Sequence, residues 1–161
     1  MSFSRISSKV SREITPPKFI ISIDNEKCTG CRSCELACSI SHEGISSPSL
    51  SRLNILRDFI YGENYIEICK QCEGPECMLA CPVEDAMFID EKTGARIINE
   101  EKCIACGNCA HACPFNENGF IIRYNPNKNV YIKCDLCYFR KDGPICVQIC
   151  PYGALSYVSY R

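Results

Sequence analysis

Residues 103–114 read Cys103-Ile104-Ala105-Cys106-Gly107-Asn108-Cys109-Ala110-His111-Ala112-Cys113-Pro114. Three cysteines arrive with two residues between neighbours, a fourth follows after three, and proline closes the run. Three more groups of four follow the design with local departures: Cys28, Cys31, Cys34 and Cys38; Cys69, Cys72, Cys77 and Cys81; and Cys134, Cys137, Cys146 and Cys150. Every group opens with a C-x2-C pair and ends with a fourth cysteine after three intervening residues. Pro82, Pro114 and Pro151 follow the last cysteine in three groups, and the four groups use all sixteen cysteines of the chain.

This spacing resembles the ligand pattern of bacterial ferredoxins, repeated twice over. A cubane 4Fe-4S cluster needs three thiolates from one tight loop. Two-residue spacers let that loop wrap the cluster with backbone amides turned toward the sulfurs. The fourth cysteine, one helical turn on, serves the neighbouring cluster in two-cluster ferredoxins. Proline after it removes an amide donor and disfavours helical geometry at the cysteine, so the chain leaves the site sharply. Gly30 and Gly107 lie in such loops, where a side chain is expected to crowd the cluster.

Two other uses of cysteine fit less well. A disulfide scaffold belongs to a small secreted chain. Residues 1–18, MSFSRISSKVSREITPPK, are polar and Ser-rich, without an apolar core or adjacent arginines to mark export. Structural zinc takes two separated pairs of ligands, not a third and fourth cysteine at ferredoxin spacing. The reading is therefore four 4Fe-4S clusters.

Cluster loops leave little chain for an ordinary core, so folding must lean on the metal. The formal net charge is −1. Sixteen thiolates and four oxidised cubane cores carry it to about −9 in the holoprotein. An acidic surface speaks against nucleic acid and suits docking to basic patches on redox partners. No apolar run is long enough for a membrane span. Together these features point to a reducing cytoplasm.

Short strand-like runs flank the loops: 19–23, 53–56, 65–68, 86–89, 96–98, 120–124, 130–133 and 154–158. Residues 90–94 read as the turn of a hairpin. From 65 to 124 the order is strand, cluster loop, strand, turn, strand, cluster loop, strand, which describes a complete two-cluster ferredoxin with internal pseudo-twofold symmetry. The flanking pieces have the same composition. The expected fold is α+β, with two nested bacterial-ferredoxin-like modules: an outer one from 19–64 plus 125–161, an inserted inner one at 65–124, and an N-terminal arm at 1–18. Spacing alone also permits sequential pairing of groups one with two and three with four.

From Cys28 to Pro151 the chain resembles the four-cluster, ferredoxin-type electron-transfer subunits of molybdenum and tungsten pterin oxidoreductases. The widened second loop, Cys69-Lys70-Gln71-Cys72-Glu73-Gly74-Pro75-Glu76-Cys77, and the eight residues between Cys137 and Cys146 carry the likeness. The resemblance implies nested pairing. One cluster would take Cys28, Cys31, Cys34 and Cys150, and a second Cys38, Cys134, Cys137 and Cys146. A third would take Cys69, Cys72, Cys77 and Cys113, and a fourth Cys81, Cys103, Cys106 and Cys109. After Cys38, Ser39 replaces proline, followed by Ile40-Ser41-His42-Glu43-Gly44, Pro48 and Ser51-Arg52. This stretch is similar to the small polyferredoxin partners of tungsten aldehyde oxidoreductases and of related benzoyl-coenzyme A reductases.

His42 could cover a cluster or bond a partner subunit, and His111 reads as a surface residue. Lys27, Lys102 and Lys133 each precede a first cysteine and are expected as solvated loop charges, although they could raise cluster potentials or steer a partner. The basic arm could order on a partner. No catalytic triad, phosphate loop or flavin fingerprint is present, so the chain is expected to carry electrons without being an enzyme by itself. Its expected partners are a large tungsten or molybdenum pterin subunit that acts on aldehydes and, at the other end, a ferredoxin, a flavin subunit or a further copy of itself. Formate dehydrogenase, hydrogenase or a sulfur-compound reductase are alternative hosts. A free-standing diffusible ferredoxin is the alternative without one.

Overall fold

The computed structural model describes residues 14–161. Most of the arm, residues 1–13, lies outside the described residues. The chain is a small α+β protein of eight short strands, four α-helices and two single 3-10 turns among the described residues. The strands pair as four antiparallel two-stranded ladders.

β1 (Phe19–Ile23) pairs with β8 (Leu155–Ser159), joining the two ends of the described chain. β2 (Leu53–Arg57) pairs with β3 (Asn64–Ile68), and β6 (Ile122–Asn125) with β7 (Val130–Lys133). Both of these ladders run across the expected module boundaries near residues 64 and 124. β4 (Met87–Ile89) and β5 (Arg96–Ile98) form the expected hairpin. Each helix follows a cysteine loop: α1 (Ser33–Glu43), α2 (Glu76–Leu79), α3 (Asn108–Ala112) and α4 (Ile145–Ile149). α1 packs against α4, and α2 against α3.

The core is divided between these helix pairs. Ile21, Leu53, Ile66, Ile68, Leu136 and Leu155 fill the α1–α4 side, while Met78, Met87, Ile98, Ile121 and Ile122 fill the other. Cysteines belong to both cores, so the same small volumes must serve packing and metal binding. No helix among the described residues is long and apolar enough to cross a membrane.

The β4–β5 turn anchors the start of β1. Asp90 accepts from the Thr93 amide at 2.8 Å, and the Thr93 carbonyl accepts from the amides of Lys18 and Phe19 at 3.2 and 3.1 Å. Gly94 sits at φ 71°, and a Cβ there would lie 2.5 Å from the Lys18 backbone nitrogen. Gly94→Ala should therefore destabilise the protein by more than about 1 kcal/mol, read as a lowered urea midpoint at constant slope.

Candidate metal centres

The four loops share one backbone device. The residue just before the second cysteine is left-handed in each: Gly30 at φ 70°, Gln71 at 52°, Ala105 at 56° and Leu136 at 56°. A single left-handed residue reverses the chain so that two cysteines two residues apart face one point. Only one of the four positions is glycine, so composition does not announce the turn. The glycines foreseen as making room for a cluster also face protein. A Cβ on Gly30 would meet Asn64 Oδ1 at 2.4 Å, and one on Gly107 would meet the Tyr131 hydroxyl at 3.0 Å.

The helices bring in the remaining cysteines. α3 and α4 stop at Cys113 and Cys150, both extended, directly before Pro114 and Pro151. α1 has no proline after Cys38 and runs on to Glu43, where Gly44 caps it in left-handed geometry. The replacement of proline by Ser39 thus gives α1 the extra turn that carries His42.

Three cavities are each lined by four cysteines. One contains Cys28, Cys31, Cys34 and Cys150; another Cys69, Cys72, Cys77 and Cys113; a third Cys81, Cys103, Cys106 and Cys109. The remaining four, Cys38, Cys134, Cys137 and Cys146, are all buried. Burial, then the nearby Cys38, Cys137 and Cys34, pushes the Cys146 thiol well above its ordinary 9.0. Burial also pushes Cys34 and Cys109 up to about 12 and Cys77 up to about 11. Such thiols hold their protons until a metal competes for the sulfur, so iron binding must release protons.

Donors face several of these sulfurs. The amides of Ala154, Arg52 and Tyr131 donate to Cys150, Cys38 and Cys103 Sγ at 3.4, 3.4 and 3.5 Å. Four soft sulfur ligands around each of three cavities, with amides turned toward sulfur, suit iron-sulfur clusters. Cys69 Sγ differs, because the Lys133 ammonium donates to it at 3.4 Å.

An ion network surrounds the buried group of four cysteines. His42 Nδ1 donates to the Cys38 carbonyl at 2.9 Å and Nε2 to Asp135 Oδ1 at 3.0 Å. Two acceptors on one ring require the imidazolium. Burial opposes that charge, but Asp135, Cys137 and Cys38 outweigh it and raise His42 to about 12. Its side chain is 3% exposed, so the foreseen bond to a partner subunit is replaced by an internal one. Arg52 reaches Asp135 at 3.2 Å and Glu100 at 2.5 Å, and Lys128 closes the network on Glu43 and Glu100 at 2.8 Å each.

His111 is exposed, as expected of a surface residue. Lys27 and Lys102 are solvated, with side chains 59% and 49% exposed. Lys133 corrects the expectation made for all three lysines. It is 1% exposed, because its side chain turns inward from β7 between Cys69 Sγ and the Cys134 carbonyl. The Arg52–Asp135 network was also missing from the sequence reading, since its members lie up to 93 residues apart.

A 4Fe-4S dicluster domain matches residues 62–160, and a 4Fe-4S binding domain matches residues 25–41. The polyferredoxin-like subunit of an aliphatic sulfonate oxidoreductase from Pyrococcus furiosus is 45% identical over 141 residues, covering 88% of this chain and 76% of that protein. Formate hydrogenlyase subunit 2 of Escherichia coli K12 is 32% identical, over 88% of this chain and 81% of its own. The active site complex BamBC of benzoyl-coenzyme A reductase contains a chain of similar structure, with a TM-score of 0.52 and 27% identity, covering 88% of this chain and 80% of that one.

Proposed function

The chain belongs to the 4Fe-4S dicluster family, and from that premise we propose that it relays electrons through four clusters to or from a tungsten or molybdenum pterin subunit that acts on aldehydes. A bound 4Fe-4S cluster accepts and returns one electron. Everything else falls to the chain, which must hold the clusters in line, exclude water between them and expose the two ends.

The observation that carries this reading is the order of the four sets of cysteines. Cys34 and Cys38, one turn apart on α1, link the set of Cys28, Cys31, Cys34 and Cys150 to that of Cys38, Cys134, Cys137 and Cys146. Lys133 touches both Cys134 and Cys69 and so links the second set to Cys69, Cys72, Cys77 and Cys113. The packed pair α2–α3 links that set to Cys81, Cys103, Cys106 and Cys109. The two exposed cysteines, Cys31 and Cys106, fall at opposite ends of the series, and four of the six buried ones make up the second set. Electrons would enter and leave at the exposed ends.

The benzoyl-coenzyme A reductase complex and the Pyrococcus relative favour a large catalytic partner. The formate hydrogenlyase relative supports a second reading, in which the same relay serves a formate- or hydrogen-converting enzyme. Purification of the tagged chain from its native cells separates the readings. Tungsten or molybdenum in a stably associated large subunit that oxidises aldehydes supports the first. Formate oxidation or nickel in that subunit supports the second, and absence of any stable partner contradicts both.

A further inference from the structure

We propose that Lys133 makes the site of Cys69, Cys72, Cys77 and Cys113 the electron well of the relay, the point of highest reduction potential along the chain. The inference rests on the four-cluster reading and adds an energy profile to it.

The four sites differ in how their charges are balanced. At the site of Cys81, Cys103, Cys106 and Cys109, the cavity lining is free of charged side chains. The cavity of Cys28, Cys31, Cys34 and Cys150 includes Arg32, but this guanidinium is half exposed and paired with Glu35 at 2.6 Å. Around Cys38, Cys134, Cys137 and Cys146, the cations His42 and Arg52 are matched by Asp135, Glu43 and Glu100.

The remaining site has two buried cations, Lys133 and Arg96, each 1% exposed, while the other two charged residues of its lining, Lys70 and Glu76, are exposed and opposite in sign. Lys133 donates to Cys69 Sγ at 3.4 Å and to the Cys134 carbonyl at 3.2 Å. Arg96 donates to the neutral carbonyls of Gly94 and Thr15 at 2.5 and 2.6 Å. Among the described residues, neither forms an ion pair with a carboxylate.

Reduction adds one negative charge to a site already made negative by four thiolates. A buried ammonium bonded to a ligand sulfur, with no carboxylate paired to it, favours that added electron, and its burial limits screening by solvent. The other three sites lack this imbalance. An electron arriving from either end therefore settles at the inner site beside Lys133 before the next transfer.

Redox titration of the holoprotein, followed by electron paramagnetic resonance, tests this. Cys72→Ser changes one ligand and marks which signal belongs to the site. In the wild-type protein the marked signal should appear first on reduction. Lys133→Met should lower its reduced-to-oxidised ratio at least tenfold at fixed ambient potential, equivalent to 59 mV for a one-electron couple, with the signals of the two end sites unmoved. Lys133→Arg should retain most of the wild-type midpoint. The proposal is overturned if the marked signal is not the first to appear, or if Lys133→Met keeps its iron and its midpoint. Should Lys133→Met shed iron, the wild-type order of reduction decides alone. A wild-type iron content near twelve per chain or below would instead overturn the four-cluster reading beneath it.

Discussion

Removal of iron should unfold the protein. The hydrophobic cores around Leu53 and Ile68 and around Met78 and Ile122 are small and include cysteines of the four sets among their buried members. The ladders contain only two strands each. Isolated two-stranded ladders are marginal in water, and a chain whose core is shared with metal sites obtains its folding free energy from ligation. Chelation of iron under anaerobic, reducing conditions should abolish most helical and strand signal in far-ultraviolet circular dichroism and collapse the dispersion of amide resonances. Restoring iron and sulfide should return both. An iron-free chain that keeps its dispersed spectrum would show that packing suffices without the metal.

Asp135→Ala should have the largest effect of any single non-cysteine substitution in the ion network. Asp135 is buried, and it accepts from His42 Nε2 at 3.0 Å, Arg52 Nη1 at 3.2 Å and the Cys137 amide at 2.9 Å. Removing it leaves two buried cations facing one another without their shared carboxylate and frees the left-handed stretch at Leu136 and Cys137. Loss of one partner from a buried ion pair costs about 3–5 kcal/mol. The expected result is faster iron loss to a chelator, beginning with the site of Cys38, Cys134, Cys137 and Cys146, and a lower denaturation midpoint. Asp135→Asn keeps one oxygen to accept from the Cys137 amide and His42 Nε2 but turns a donor toward Arg52, so its effect should be smaller than that of Asp135→Ala yet still measurable. Wild-type resistance of Asp135→Ala to chelator and heat would show that the network does not support this site. Burial pushes the Asp135 carboxyl up, but His42 and Arg52 outweigh it and hold it below its ordinary 3.8. Its contribution is therefore present above that value and is lost as pH falls through the lower folded-state value.

The cysteine spacing made the chemistry legible, because ligand number and interval are local properties of the chain. β1, β5 and β7 were equally readable, since short β-branched runs between loops have few other uses. Strand partners were less accessible. The pairing of β2 with β3 depends on which side chains meet across a ladder, and the composition of 53–56 and 65–68 contains no such information. The left-handed Gln71, Ala105 and Leu136 escaped notice because glycine is the usual mark of that geometry and none is present at those positions. Lys133 was misread for a related reason. Lysine is almost never fully buried unless paired, and here the partner is the Cys69 sulfur, reached across 64 residues.

Coulometric reduction of the purified holoprotein tests the central claim most directly, because it counts the electrons the chain can hold. The account expects about four electrons per chain, one for each set of four cysteines. An uptake of about two, or none, would contradict the four-cluster relay.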